Sequence, residues 1–572
     1  MTQNSGAALI ATTLKARGTE RVFALCGGHI MPIWMALDDA GIEIVDVRDE
    51  RSAVYMAHAH AALTGRFSVA LVTAGPGVTN AITGVANAHV SRSPVLVLAG
   101  SPPRPQEGRG ALQDLDHCAL MRPITRIAKK ISTASSLPRE LDFAISAALG
   151  IGGEPGPCFL DIPVDVQRDI LPRVIFELEQ VEGRAKPRAR AFEEDLDVAA
   201  ELIQNSNRPV VISGRGANDA ADALPHFLEV SGAAYLDTGE TKGILPESHP
   251  AQVGAMRGAA LSGADLIITI GRKLDFQLAY GSPAIFGSTK FLRISDVAQE
   301  LNDNRLGDMA LLGTVEDTLE KLSKRLADKR IPREWVEDLR RNHQKRSTAL
   351  IQAMETAPSD AFGRLHPNRL LGEIRKRLKQ NAIVIADGGD ILSFARVGLS
   401  SSTYLDPGPL GCIGMATPFA IGAAKAAPER QVVAVTGDGA FGFTGIEMDT
   451  AKRHNVPMMI VVSNNGSWAI EVRDQMDRFG KAVGTHLQFA DYAGMARSFG
   501  LKAWRIEGED ALAPGLDAAF AAYAEGHTVL VDVITSPEAV SSDSKTGLAI
   551  VPDFQALSAW DDAERNWLEE KH

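Results

Sequence analysis

The sequence predicts an α/β protein: three doubly wound, parallel-sheet domains followed by a C-terminal tail. Three observations carry this. Short runs rich in Val and Ile recur along the chain. Many end in a Gly-bearing turn and give way to a longer helical pattern. Two charged, Pro-bearing stretches interrupt that rhythm. The apolar runs include Ser68–Thr73, Pro94–Ala99, Pro209–Ser213, Leu266–Ile270, Ala382–Ala386, Gln431–Thr436, Pro457–Ser463 and Val529–Ile534. Continuous rather than alternating hydrophobicity marks strands buried on both faces, as in βαβ units. The interruptions, about 172–195 and 327–366, read as connections between domains. They divide the chain into units at 1–185, 190–345 and 360–537, with a tail at 538–572.

Composition narrows the function. With 59 Lys and Arg against 71 Asp and Glu, the net charge is −12, which argues against a nucleic-acid or anionic-membrane partner. No run reaches the ~18 apolar residues of a membrane span. The N-terminus shows no basic region leading into an apolar one, so no signal peptide is expected. Cys26, Cys118, Cys158 and Cys412 form no C-x-x-C pair and are expected to be reduced core thiols of a cytoplasmic protein.

The strongest local signal is Thr436-Gly437-Asp438-Gly439-Ala440, which follows one apolar strand. A helix is expected over 445–454, and a second strand then ends in Asn464-Asn465-Gly466-Ser467. A right-handed crossover sets two such strands side by side or nearly so. The oxygens of Asp438 and Asn465 can then converge. A carboxylate, an amide oxygen and a backbone carbonyl form a hard set suited to Mg²⁺ that also binds phosphate. Gly437 and Gly439 let the backbone approach a diphosphate.

This pattern resembles the diphosphate–magnesium signature of thiamine-diphosphate-dependent enzymes of the acetolactate synthase, benzaldehyde lyase and oxalyl-CoA decarboxylase superfamily. The resemblance covers nearly the whole chain. It implies a pyrimidine-binding domain, a Rossmann-like middle domain and a diphosphate-binding domain, in that order. It also implies Asp438, Asn465 and the Ser467 carbonyl as metal ligands, with Gly389, Gly437, Gly439 and Ala440 beside the cofactor.

Glu50 ends the strand-like Val45-Asp-Val-Arg-Asp-Glu50 and opens a helix. Taken alone it is an acid in a first turn, favourable to the helix dipole. By resemblance it hydrogen-bonds the cofactor's pyrimidine nitrogen. A carboxyl group sharing a proton there favours loss of the weakly acidic thiazolium proton, and desolvation keeps its pKa high enough to do so. The resemblance further implies that Pro76 and Asn80, in Gly75-Pro76-Gly77-Val-Thr-Asn80, face the cofactor. The Gly411 carbonyl would meet the pyrimidine amino group, and Ile413 would wedge between the two rings. In this family the glutamate and the diphosphate site come from different subunits, so a homodimer is the minimal unit and a homotetramer is expected.

Several residues are expected to face substrate. His29 and Gln113 match a histidine and a glutamine of benzaldehyde-lyase-like members. Glu471, six residues past Asn465, resembles a glutamate of 2-oxo-acid decarboxylases, although the paired histidines of those enzymes are not visible. The segment Ser536–Pro552, with Lys545, resembles the C-terminal lid that closes over coenzyme A in oxalyl-CoA decarboxylase and 2-hydroxyacyl-CoA lyases. Arg396 falls near a family arginine that meets CoA phosphates. Leu112 stands where oxalyl-CoA decarboxylase has a polar residue and suits a hydrocarbon-bearing substrate. In the middle domain, Gly214-Arg-Gly216 and Ile270-Gly-Arg-Lys273 resemble a nucleotide site. In different members such a site holds ADP, FAD or no nucleotide; ADP is expected before FAD, and Lys273 stands where an arginine is usual.

The resulting expectation is a thiamine-diphosphate and Mg²⁺ carbon–carbon lyase or carboligase, best read as a 2-hydroxyacyl-CoA lyase yielding formyl-CoA and an aldehyde or ketone. The alternatives are a 2-oxo-acid decarboxylase, an acetolactate-synthase-type or benzaldehyde-lyase-type carboligase, or a catalytically dead scaffold. Intact Glu50, Asp438 and Asn465 argue against the last.

Overall fold

A computed structural model describes residues 4–171, 189–327, 334–541 and 552–571. The apolar runs form the strands of three all-parallel sheets. The first contains β1 (Arg21–Ala24), β2 (Glu43–Asp46), β3 (Ser68–Val72), β4 (Val95–Ser101), β5 (Ile127–Lys130) and β6 (Cys158–Pro163), in the order β2-β1-β3-β4-β6-β5. The second contains β7 (Pro209–Ser213), β8 (Ala234–Leu236), β9 (Leu266–Ile270), β10 (Lys290–Ser295) and β11 (Met309–Leu312), ordered β11-β10-β9-β7-β8. The third contains β12 (Ile383–Asp387), β13 (Thr403–Leu405), β14 (Val432–Gly437), β15 (Met459–Asn464), β16 (Lys502–Ile506) and β17 (Val529–Ile534), ordered β13-β12-β14-β15-β17-β16.

Alternate side chains of each strand enter different cores, as the pleat requires. On β4, Leu96 and Leu98 face an outer cluster, whereas Val95, Val97 and Ala99 face an inner one. That inner cluster runs without interruption into the third sheet, through Met415, Phe419, Ala434 and Ile460. The first and third units therefore share one core. It closes where helix Glu50–Thr64 crosses helix Ala416–Ala426. The crossing is tight: a Cβ on Gly422 would lie 2.3 Å from the Met56 carbonyl oxygen. Phe419 packs edge-on against Tyr55 and His58.

Four expectations need correction. The stretch 327–366 is not a plain connection, because Glu334–Thr356 is a helix. Its Arg340 donates to carbonyls of Glu247 and Gln252 in the middle unit, while Met354 packs under Gly372 and Gly398 of the third. A charged, largely exposed helix lacks the continuous apolar run that marks a strand, and its polarity reads as linker. Second, the far end of the tail is not a separate appendage, whereas the lid expected at Ser536–Pro552 falls mostly outside the described residues. Helix Ser558–Lys571 returns to the middle unit, where Glu564 accepts from the Ser282 hydroxyl at 2.5 Å and Trp560 packs on its core. Third, the helix after Gly437 begins at Asp438, not at 445. Fourth, of the cysteines only Cys158 is buried; Cys26 is exposed, and all four are free. Most of the linker expected at 172–195 and the tail residues 542–551, Lys545 among them, lie outside the described residues. Among those described, no helix is long and apolar enough to cross a membrane.

Candidate active site

The diphosphate end assembles at the carboxyl ends of β14 and β15, where open α/β sheets bind ligands. The two strands are paired neighbours, with Gly437 opposite Ser463. Asp438 starts helix Asp438–Thr444 and is buried. Its Oδ2 accepts the Gly466 N–H at 3.0 Å, which ties it to the Asn465 turn. Asn465 Oδ1 accepts the Ser467 N–H at 3.1 Å. Ser467 pairs with His486 in an antiparallel bridge whose hydrogen bonds run from Trp468 N to Thr485 O (2.9 Å) and from Leu487 N to Gly466 O (2.7 Å). The Ser467 carbonyl stands outside that ladder. Burial pushes the Asp438 carboxyl up to about 6, against several backbone N–H bonds that favour its charged form. A buried acid served only by backbone amides is one that a cation would relieve.

Gly439 is required by its surroundings, since a Cβ there would lie 2.4 Å from the Trp468 ring. Ala440 is buried behind it, and Gly389 heads helix Asp390–Gly398 against Ile470. Among the described residues no group of three or more His, Cys, Asp or Glu is placed to hold a metal. The Asp438 carboxylate, the Asn465 amide oxygen and the Ser467 carbonyl are hard oxygen donors of the kind Mg²⁺ takes.

The loop Gly411–Gly414 is fixed from below by Asp387, which the sequence reading missed. Asp387 is fully buried and accepts N–H groups from Gly388 (2.6 Å), Gly414 (3.2 Å) and Ala416 (2.9 Å). Burial raises its pKa to about 6. The Thr444 hydroxyl donates to the Gly414 carbonyl at 2.5 Å, joining this loop to the diphosphate helix. Gly411 adopts φ +69°, a left-handed conformation that favours glycine, and Ile413 is half-buried.

Glu50 lies at the first position of its helix, buried, with Asp49 as cap. Asn80 Nδ2 donates to Glu50 Oε2 at 3.1 Å, and a Cβ on Gly77 would stand 3.5 Å from Oε1. Gly77 is required there chiefly by Thr73, whose methyl would lie 2.9 Å from such a Cβ. Pro76 opens helix Pro76–Val90 directly before it. His117, also missed, is fully buried, and its Nε2 accepts the Gly75 N–H at 2.9 Å. It holds the turn in which Gly75 takes φ +60°. Neither His117 nor Asp387 stands in a motif; each acts on a backbone amide distant in sequence, and no spacing encodes that.

The structure brings Gln113 to the same turn, its Cβ only 2.8 Å from where a Gly75 Cβ would be. His29 is half-buried at the end of β4, its carbonyl accepting from Gln167 Nε2 at 2.7 Å and pressing on Gly100. Glu471 is exposed in the first turn of helix Ala469–Phe479. Leu112 is 78% exposed, so most of its apolar side chain is uncovered by the described residues. Arg396 is not a freely presented cation: its Nη2 pairs with Asp406 at 3.2 Å, and its carbonyl accepts from the half-buried Lys242. In the middle unit, Gly214 and Gly216 serve a close crossing with Gly271, and Lys273 pairs with Glu154 at 2.7 Å.

Three family models match the chain: the N-terminal binding domain of thiamine pyrophosphate enzymes over residues 4–120, the central domain over 196–322 and the C-terminal binding domain over 391–533. Among curated proteins, 2-hydroxyacyl-CoA lyase 2 of Homo sapiens is 32% identical over 92% of this chain and 89% of its own length. The acetolactate synthase large subunit of Mycobacterium tuberculosis is 32% identical over 92% and 95%. A 2-hydroxyacyl-CoA lyase of Oryza sativa subsp. japonica is 28% identical over 93% and 96%.

Proposed function

The chain belongs to the thiamine pyrophosphate enzyme family, and from that premise we propose that it is a 2-hydroxyacyl-CoA lyase yielding formyl-CoA and an aldehyde or ketone. As a member of that family it is a thiamine-diphosphate-dependent enzyme. The observation that carries the cofactor reading is the buried Glu50, held by Asn80 close to the Gly77 backbone. The lyase reading draws on the names of its relatives.

Asp438, Asn465 and the Ser467 carbonyl would hold the metal at the diphosphate end. Glu50 would share a proton with the pyrimidine ring, and Gly411 and Ile413 would line the cofactor's middle. When bound, the cofactor would supply a carbon nucleophile for the thioester carbonyl. Glu471 or His29 removes the proton from the substrate's 2-hydroxyl as the C1–C2 bond breaks and the aldehyde or ketone leaves; protonation at C1 completes formyl-CoA. Gln113 orients the substrate and Leu112 meets its hydrocarbon chain; by the family resemblance Lys545 and Arg396 are the candidates to meet the CoA. The working unit is a cytoplasmic homodimer or homotetramer, with ADP as the ligand of the middle domain.

The second reading, an acetolactate-synthase-type carboligase or 2-oxo-acid decarboxylase, draws on the equally similar Mycobacterium relative. Incubating the enzyme with 2-hydroxyacyl-CoA thioesters and with 2-oxo acids, and identifying products by mass spectrometry, separates the two. Formyl-CoA is expected. Acetolactate or carbon dioxide from the oxo acids, with the thioesters untouched, overturns the lyase reading.

A further inference from the structure

We propose that Glu447 is a positioning residue for the activating glutamate: its carboxylate, contributed by the diphosphate-binding unit, fixes the backbone turn from which Glu50 projects. The proposal rests on the cofactor reading above and extends it to a residue that touches neither cofactor nor substrate.

The geometry is specific. Glu447 is fully buried. Its Oε1 accepts the backbone N–H groups of Arg48 and Asp49, each at 3.1 Å, and its Oε2 accepts the Thr450 hydroxyl at 2.6 Å and shares the Arg48 N–H at 3.2 Å. Arg48 and Asp49 are the two residues immediately before Glu50. A helix start leaves N–H groups without intrahelical partners. In a capping box the side chain at the third helical position bonds back to the cap's own N–H. Here Asp49 performs the forward half, its Oδ1 accepting the Arg51 N–H at 2.9 Å. The third position is Ser52, too short for the return half. Glu447 supplies that half from the other unit.

Flanking pairs join the same two segments. Arg48 meets Asp449 at 3.4 Å, and Asp46 meets both Arg453 and His454 Nε2, the latter at 2.7 Å. These are exposed or partly exposed, and such pairs contribute little to holding a geometry. Glu447 is the buried member, and among the described residues it makes no ion pair. Burial pushes its carboxyl up to about 7. An acid kept where burial opposes its charge, bonded to backbone amides and one hydroxyl, acts by placing those amides. It also lies on the helical stretch that begins at Asp438, so one rigid segment sets both the metal ligand and the base of the Glu50 turn.

The test measures deuterium exchange at the acidic thiazolium carbon of enzyme-bound thiamine diphosphate by NMR, beside cofactor affinity by titration. Glu447→Ala is expected to slow exchange about tenfold or more, while affinity stays within about threefold. Glu447→Gln keeps one oxygen for both amides and should restore exchange to within about threefold of wild type. Glu50→Gln marks the floor. Wild-type exchange in Glu447→Ala overturns the proposal. So does Glu447→Gln being as slow as Glu447→Ala, or exchange and affinity falling together. If Glu447→Ala fails to fold, Glu447→Asp, which withdraws the carboxylate from both amides by one methylene, takes its place: slowed exchange supports the proposal and wild-type exchange overturns it. A wild-type enzyme that exchanges but leaves 2-hydroxyacyl-CoA untouched refutes only the substrate reading.

Discussion

Gly439→Ala offers a quantitative probe of the diphosphate site. The added methyl would lie 2.4, 2.7 and 2.8 Å from three carbons of the Trp468 indole, whereas ordinary carbon contacts begin near 3.4 Å. The ring must therefore shift by about 1 Å. Trp468 directly follows Asn465-Gly466-Ser467 and caps helix Ala469–Phe479, so the shift passes into the segment that carries two of the three proposed metal ligands. Overpacking of this kind costs about 1–3 kcal/mol. If the bound state bears that cost, thiamine-diphosphate affinity in saturating Mg²⁺ falls about 5- to 150-fold. Quenching of tryptophan fluorescence on cofactor titration reads it. Gly442→Ala is the control, for no heavy atom lies within 4 Å of a Cβ there. In a helix interior that change should be neutral or stabilise by up to about 1 kcal/mol. Equal affinity in wild type and Gly439→Ala refutes the claim that this contact shapes the site.

Three further predictions follow from the geometry. Asp438→Ala should lower Mg²⁺-supported cofactor affinity by more than the ~10- to 100-fold seen when a ligand's outer partner is lost; calorimetric titration checks it, and unchanged affinity places the metal elsewhere. His117→Phe leaves the Gly75 N–H without its acceptor and should cost about 1–3 kcal/mol, read as a lower denaturant midpoint. His58, buried against Phe419, has its pKa lowered to about 4 by desolvation. The unfolded chain takes up that proton below about 6.5 and the folded one does not, so stability is full above pH 6.5 and falls as pH drops toward 4. Between pH 6.5 and 5 the loss is about 2 kcal/mol, and His58→Gln should lack that share of the slope in urea unfolding.

The chain's own pattern was sufficient for three parallel sheets, because a strand buried on both faces needs an unbroken apolar run, and β7, β9 and β17 occupy the runs read from sequence. It was also sufficient to bring Asp438 beside the Asn465 turn, since a single crossover between neighbouring strands leaves little choice. The Glu334–Thr356 and Ser558–Lys571 helices escaped because their exposed polar faces carry no such run. Folding alone decided that the first and third units share a core across Gly422. Folding also decided that Asp387, His117 and Glu447 govern loops remote from them in sequence. Each of the three acts through backbone amides, and every residue but proline has an amide N–H. Such partnerships leave no trace in residue identity and exist only once the chain has brought the two segments together.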